Sequence, residues 1–307
     1  MKNVLFASTA LVAVAAAGSA FADGHGGGVK IGVSSDIGVV YTDNGDNSSV
    51  HLLEDFDVSI EASTTTDNGL TISSEASGEN AGDHIIKVAG AFGSVQLGDD
   101  DNAFDAAMIG IAAGGVEPSA DIVDDSGIAA GVPVDDPADY DRADSGISGY
   151  ELLYTSPDLG GGNIFLSVAA DSQNGEDGIG GGAQFSFGPA SVGAAVEAFG
   201  EDDLLYGLSG KVATGPVTII AAMNAGEVGG ADVLIVEGSV EFDTGAGTIG
   251  ALVSADLEQD DYDDIDYGAF FKMPIGGGAT FNIAAGADTV SDDTTITSVG
   301  TSISVSF

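Results

Sequence analysis

Toward its carboxy-terminal end the chain alternates: Thr297, Val299, Thr301, Ile303, Val305 and Phe307 fall on one face of an extended strand, Ser298, Gly300, Ser302, Ser304 and Ser306 on the other. Successive side chains of a strand point to opposite faces, so this period of two marks a sheet with one apolar and one wet face. Phe281, Ile283, Ala285 and Ala287 alternate in the same way with Thr280, Asn282, Ala284, Gly286 and Asp288, and Phe56, Val58, Ile60 and Ala62 with Asp55, Asp57, Ser59 and Glu61. Ala and Gly blur other runs, such as Val217 to Asn224, and there flanking turn residues delimit the strand. Sixteen strands result, near 29–41, 50–64, 69–79, 83–91, 93–99, 148–156, 162–171, 178–187, 190–199, 204–213, 216–225, 231–242, 247–256, 263–273, 279–288 and 296–307.

The connections fall into two kinds. Thr66 to Gly69, Phe92-Gly93, Pro157 to Gly162, Gly188-Pro189, Thr214 to Pro216, Thr244 to Ala246 and Pro274 to Gly278 are tight Gly/Pro turns. The alternate set, including Asp43 to Ser49, Asp171 to Asp177, Glu201 to Asp203, Glu258 to Asp264 and Ser291 to Thr294, is mostly acidic and often longer. An even number of amphipathic strands, with short turns at one end and long polar loops at the other, predicts an outer-membrane barrel.

Composition sharpens this picture. Of 307 residues, 49 are acidic and 6 basic, a formal net charge of −43, which leaves no basic patch for nucleic acid. A hydrophobic share of 44% is too high for a disordered acidic chain, and 48 glycines disfavour long helices. With no cysteine, disulfide frameworks, thiol catalysis and Cys-based zinc sites fall away together. Residues 1–22 read as a cleaved signal peptide: Lys2, an apolar stretch from Val4 to Ala17, then Ala20-Phe21-Ala22. Residues 23–307 are then the transmembrane β-barrel.

One connection is far longer than the rest, about 100–147, between the fifth and sixth strands, without sustained alternation. Counted from Asp99 to Asp144 it holds thirteen acids, among them Asp99, Asp100, Asp101, Asp105, Glu117 and Asp121, against the single cation Arg142, and its apolar pieces Ala103 to Ala113 and Ile128 to Val134 imply packing against something. A structureless insertion this long is usually functional. The stretch Phe92-Gly93-Ser94-Val95-Gln96-Leu97-Gly98-Asp99 resembles the short fifth strand of Gram-negative general diffusion porins of alphaproteobacterial type. The resemblance implies an all-β, 16-stranded antiparallel transmembrane barrel whose long third loop folds inward to narrow a water-filled pore for ions and small hydrophilic solutes. It further implies an outer-membrane location in a Gram-negative bacterium, a homotrimer in outer-membrane lipid, and recognition of Phe307 by the barrel-assembly machinery.

Lipid cannot satisfy charge, so polar faces must point into the lumen. That places Lys30, Lys87, Lys211 and Lys272 inward, with Lys87 near mid-barrel and the other three toward the short-turn mouth, where neutralising nearby carboxylates is their ordinary role. Porins of this kind set basic wall residues across from an acidic third loop. Here only Lys87 and Arg142 are available at the constriction, which predicts a cation-attracting eyelet. No cofactor is required, although the run Asp99, Asp100, Asp101 offers hard oxygen ligands for a possible Ca²⁺ without EF-hand spacing. His25, His51 and His84 have no metal-ligand spacing, and no catalytic constellation stands out, so no enzyme is expected. Two other readings are a secreted acidic calcium-binding β protein, which lacks the nine-residue glycine-rich repeat of such solenoids, and a structural or adhesive outer-membrane barrel without transport.

Overall fold

The computed structural model describes residues 27–45, 47–78, 83–98, 102–110, 150–170, 177–200, 203–228, 230–257, 264–291 and 294–307. The sixteen strands are β1 (Gly28–Asp43), β2 (Ser48–Thr65), β3 (Thr71–Ser77), β4 (Asp83–Gly90), β5 (Gly93–Gly98), β6 (Tyr150–Thr155), β7 (Gly162–Ala170), β8 (Asp177–Phe187), β9 (Ala190–Phe199), β10 (Asp203–Thr214), β11 (Val217–Val228), β12 (Ala231–Asp243), β13 (Thr248–Asp256), β14 (Asp264–Gly276), β15 (Ala279–Ser291) and β16 (Thr294–Ser306). Each pairs antiparallel with its sequence neighbours, and β1 pairs with β16, so the sheet closes into a barrel without an edge. Closure pairs every strand's backbone groups between strands, the condition for crossing a bilayer without a helix. No helix among the described residues is long and apolar enough to cross a membrane. The predicted fold class and strand number stand.

Exposure follows the period of two. On β10, Leu204, Tyr206 and Leu208 are exposed while Leu205, Gly207 and Ser209 are buried. Because cross-strand partners share a face, the ladder carries this assignment around the ring. The outer face presents Ile37, Val39, Leu166, Val168, Ile249, Val253, Tyr267, Ile283 and Ile303, a lipid-facing apolar surface.

Both ends of the described chain lie at the mouth that carries the short turns. There Phe307 extends the seam beyond β16: its N–H donates to the Val33 carbonyl at 2.9 Å and its carbonyl accepts from the Val33 N–H at 3.3 Å. Its side chain is 74% exposed. The turn between β6 and β7 is built around Asp158, whose Oδ1 accepts the N–H groups of Gly161 at 2.7 Å, Gly160 at 3.0 Å and Gly162 at 3.2 Å. Those donors, Gly161 first, hold its carboxyl below the ordinary carboxylate range. Residues 1–22, read as a signal peptide, lie outside the described residues.

Candidate functional site

The start of the long loop contains a helical turn that the lack of alternation did not anticipate, α1 (Ala103–Ala107). Asn102 caps it, its Oδ1 accepting from Phe104 N–H at 2.6 Å and Asp105 N–H at 3.0 Å, while the Asp105 carboxylate accepts the Asn102 N–H at 3.4 Å in return. The segment was expected to be irregular; capping two otherwise orphaned donors lets one short turn form.

This turn lies inside the barrel against β7, β8 and β9. Phe104 and Ala107 are wholly buried with Ala195 of β9 and Leu205 of β10, and Met108 and Phe165 pack around them. Burying a Phe side chain contributes about 1.5–3 kcal/mol, the largest single term holding the turn to the wall. Polar contacts fix its register. Ala103 N–H donates to Ser167 Oγ at 3.0 Å, Ile109 N–H to Ser209 Oγ at 2.8 Å, and Asn102 Nδ2 to both oxygens of Glu197 at 3.3 Å. Beyond α1, Ile109 packs against an inward apolar cluster of Val40, Ile220, Phe270 and Ala284.

The wall beneath α1 is flattened by glycine. A Cβ at Gly193 would lie 2.2 Å from the Ala107 carbonyl oxygen, and one at Gly207 would lie 2.6 Å from Phe104 Cζ. Neither position has room for a side chain while α1 is docked.

The four strand lysines share the face of these inward residues. Ser73, Lys87, Gln96, Leu153, Ser167, Gly180, Glu197 and Leu205 are successive cross-strand partners from β3 to β10, so Lys87 and Glu197 belong to one row. Lys211 lies two residues from Ser209 and pairs with Ile220, and Lys272 pairs with Asn282. Lys30 Nζ lies 2.8 Å from Glu61 Oε2. The expected difference in depth disappears: β4 is short, so Lys87 stands three residues from its end at Gly90, as Lys211 does from Thr214. Lys272 has the Phe270 ring beside it, 5.6 Å from Nζ to the centroid.

The same row-by-row tracing sets further wall carboxylates beside Asp57 and Glu61, which the alternation of β2 already placed on the polar face. Asp36, Asp57, Glu61 and Glu75 face inward on β1 to β3, Glu151 on β6, Glu197 on β9, and Glu237, Glu241, Asp256 and Asp266 on β12 to β14. Their parity with neighbouring Ser and Gly is the signal in the sequence that marks them as inward. Of the loop residues singled out, Asp105 is the one described, in its capping role; Asp99, Asp100, Asp101, Glu117, Asp121 and Arg142 lie outside the described residues.

Known proteins resemble this arrangement. A family model described as Gram-negative porin matches residues 7–293. No curated protein is significantly similar in sequence. Among solved structures, a porin superposes with a TM-score of 0.69 at 20% identity, covering 91% of this chain and 100% of that one. An anion-selective porin from Comamonas acidovorans gives 0.68 at 15% identity over 92% and 100%. A mutant of the Rh. blastica porin gives 0.65 at 16% identity over 91% and 100%.

Proposed function

The chain belongs to the Gram-negative porin family, a channel for diffusion across the outer membrane rather than an enzyme, and from that premise we propose that its pore prefers cations. The observation that carries this is the inward wall, where carboxylates on β1 to β3, β6, β9 and β12 to β14 outnumber the four lysines, one of which is already paired with Glu61. A lumen is a narrow aqueous space with low-dielectric walls, so fixed charge of one sign concentrates counterions there. The fold itself does not set the sign, since a barrel of the same architecture in Comamonas acidovorans is anion-selective. The sign lies in the lining.

The acidic loop residues Asp99, Asp100, Asp101, Glu117 and Asp121 add to this field in the proposal, with Arg142 as the opposing charge. The working form is a homotrimer exported through residues 1–22 and inserted by the barrel-assembly machinery through Phe307, and Ca²⁺ at Asp99 to Asp101 belongs to the same reading. The test is the reversal potential across a planar bilayer under a KCl gradient. Fixed charge acts over about 10 Å at 0.1 M salt and about 3 Å at 1 M, so the expected result is cation selectivity that weakens as salt rises. An anion-selective channel overturns the proposal.

A further inference from the structure

We propose that the inner wall binds a divalent cation, Ca²⁺ in the first instance, between Glu237 of β12 and Asp266 of β14, with the Ser254 hydroxyl of β13 between them. Ser254 is the direct cross-strand partner of both acids, so the three oxygen-bearing side chains stand in one row on the lumen face. Adjacent strands are about 4.8 Å apart, which puts the Cα atoms of Glu237 and Asp266 on the order of 10 Å apart across the short serine. A Glu and an Asp leaning toward each other over that serine close the gap to the separation that one Ca²⁺ spans, with its oxygen ligands at about 2.4 Å.

A pair of acids alone would not carry the inference. The second observation is Ser254: the residue is 3% exposed, and its Oγ is buried without a hydrogen-bond partner. Buried hydroxyls ordinarily have a partner, because leaving one without costs free energy. Its place in the ladder, directly between its cross-strand partners Glu237 and Asp266, presents three oxygen-bearing side chains to a hard cation. Glu237 is equally buried, at 3% exposure, and a cation beside it would sit in a largely water-excluded place where attraction between opposite charges is strong. On these three strands the one basic residue is Lys272, six positions from Asp266 along β14, about 20 Å at strand rise. Asp256, two residues from Ser254 on the same face, adds negative charge nearby. With oxygen donors only and coordination completed by water, the donor set suits Ca²⁺, whose shell tolerates irregular geometry, better than Mg²⁺, which demands an octahedron.

The site needs the barrel but not the ion preference proposed above, so equilibrium binding separates the two. Full-length folded protein in detergent is titrated with Ca²⁺ by calorimetry and, in parallel, with Tb³⁺ excited through tyrosine and displaced by Ca²⁺. Glu237→Gln combined with Asp266→Asn keeps shape and removes charge; Ser254→Ala keeps both charges and removes the hydroxyl. The double variant is expected to lose one Ca²⁺ per chain relative to the parent, Ser254→Ala to bind it about tenfold more weakly, and Asn at Asp99, Asp100 and Asp101 together to leave it in place. A parent without that Ca²⁺ equivalent, or a double variant with the parent's isotherm, overturns the proposal. Should the double variant fail to fold by circular dichroism, Ser254→Ala decides alone, and unchanged affinity there overturns it.

Discussion

Replacing Gly193 with alanine should dislodge α1 from the wall. The added methyl would stand 2.2 Å from the Ala107 carbonyl oxygen, 2.7 Å from Ser209 Oγ and 3.2 Å from the Ala107 carbonyl carbon, where ordinary contact begins at 3.4 Å. Something must therefore move by about 1 Å. The wall is held by ladders on both sides of β9, whereas α1 is one turn anchored by Phe104 and a few hydrogen bonds, so α1 yields. A displacement of that size stretches the 2.8 Å bond from Ile109 N–H to Ser209 Oγ past hydrogen-bonding range. Overpacking of this kind costs about 1–3 kcal/mol, which lowers the ratio of docked to undocked turns about 5- to 150-fold. Single-channel recording in planar bilayers should give a lower unit conductance with more current noise, because the turn is pushed into the water-filled space. Gly210→Ala is the control: it lies on the lipid face, and its methyl would meet nothing nearer than the Ser191 carbonyl oxygen at 3.9 Å. Conductance and noise in Gly193→Ala matching those of the parent and Gly210→Ala would refute the reasoning.

Deleting Phe307 removes two seam hydrogen bonds to Val33 and should reduce the amount of folded barrel in outer-membrane fractions while export persists; equal folded amounts would return Phe307 to an ordinary lipid-facing role. At Asp158 the folded pKa is depressed, so the turn's contribution to stability is fully present above the unfolded carboxylate pKa and is lost as pH falls through the folded value. Asp158→Ala should therefore lower denaturant resistance at pH 7 and lose that difference in strong acid, as read by urea gradients at both pH values; a difference that persists in acid would assign the effect to something other than the carboxylate.

The strands were legible where one face is greasy and the other polar, as along β16, and the sorting of turns from loops held because Gly and Pro punctuate the short-turn mouth. Boundaries slipped where the ladder does. β14 and β15 run past their expected ends through register shifts at Pro274/Gly276 and Thr289/Ser291, where an irregular ladder breaks the period of two. Inward lysines and acids were readable by parity alone. The inward apolar residues Val40, Leu205, Ile220 and Phe270 were not, because alternation assigns every large apolar side chain to lipid; the reason for them is packing against Phe104 and Ile109, a contact between segments far apart in the chain. The Asn102 to Asp105 capping spacing was present but too short a signal to stand out beside three preceding aspartates.

The seam of the barrel has a consequence for how the molecule comes into being. Ser34 of β1 pairs with Ser306 of β16, so the contact that completes the cylinder joins the two most distant strands of the chain. Every shorter precursor carries two open edges with free donors and acceptors, and each edge is competent to recruit a neighbour's strand. Closure is thus a late, all-or-none kinetic event that must wait for the sixteenth strand, and the interval before it is when the polypeptide most needs an escort.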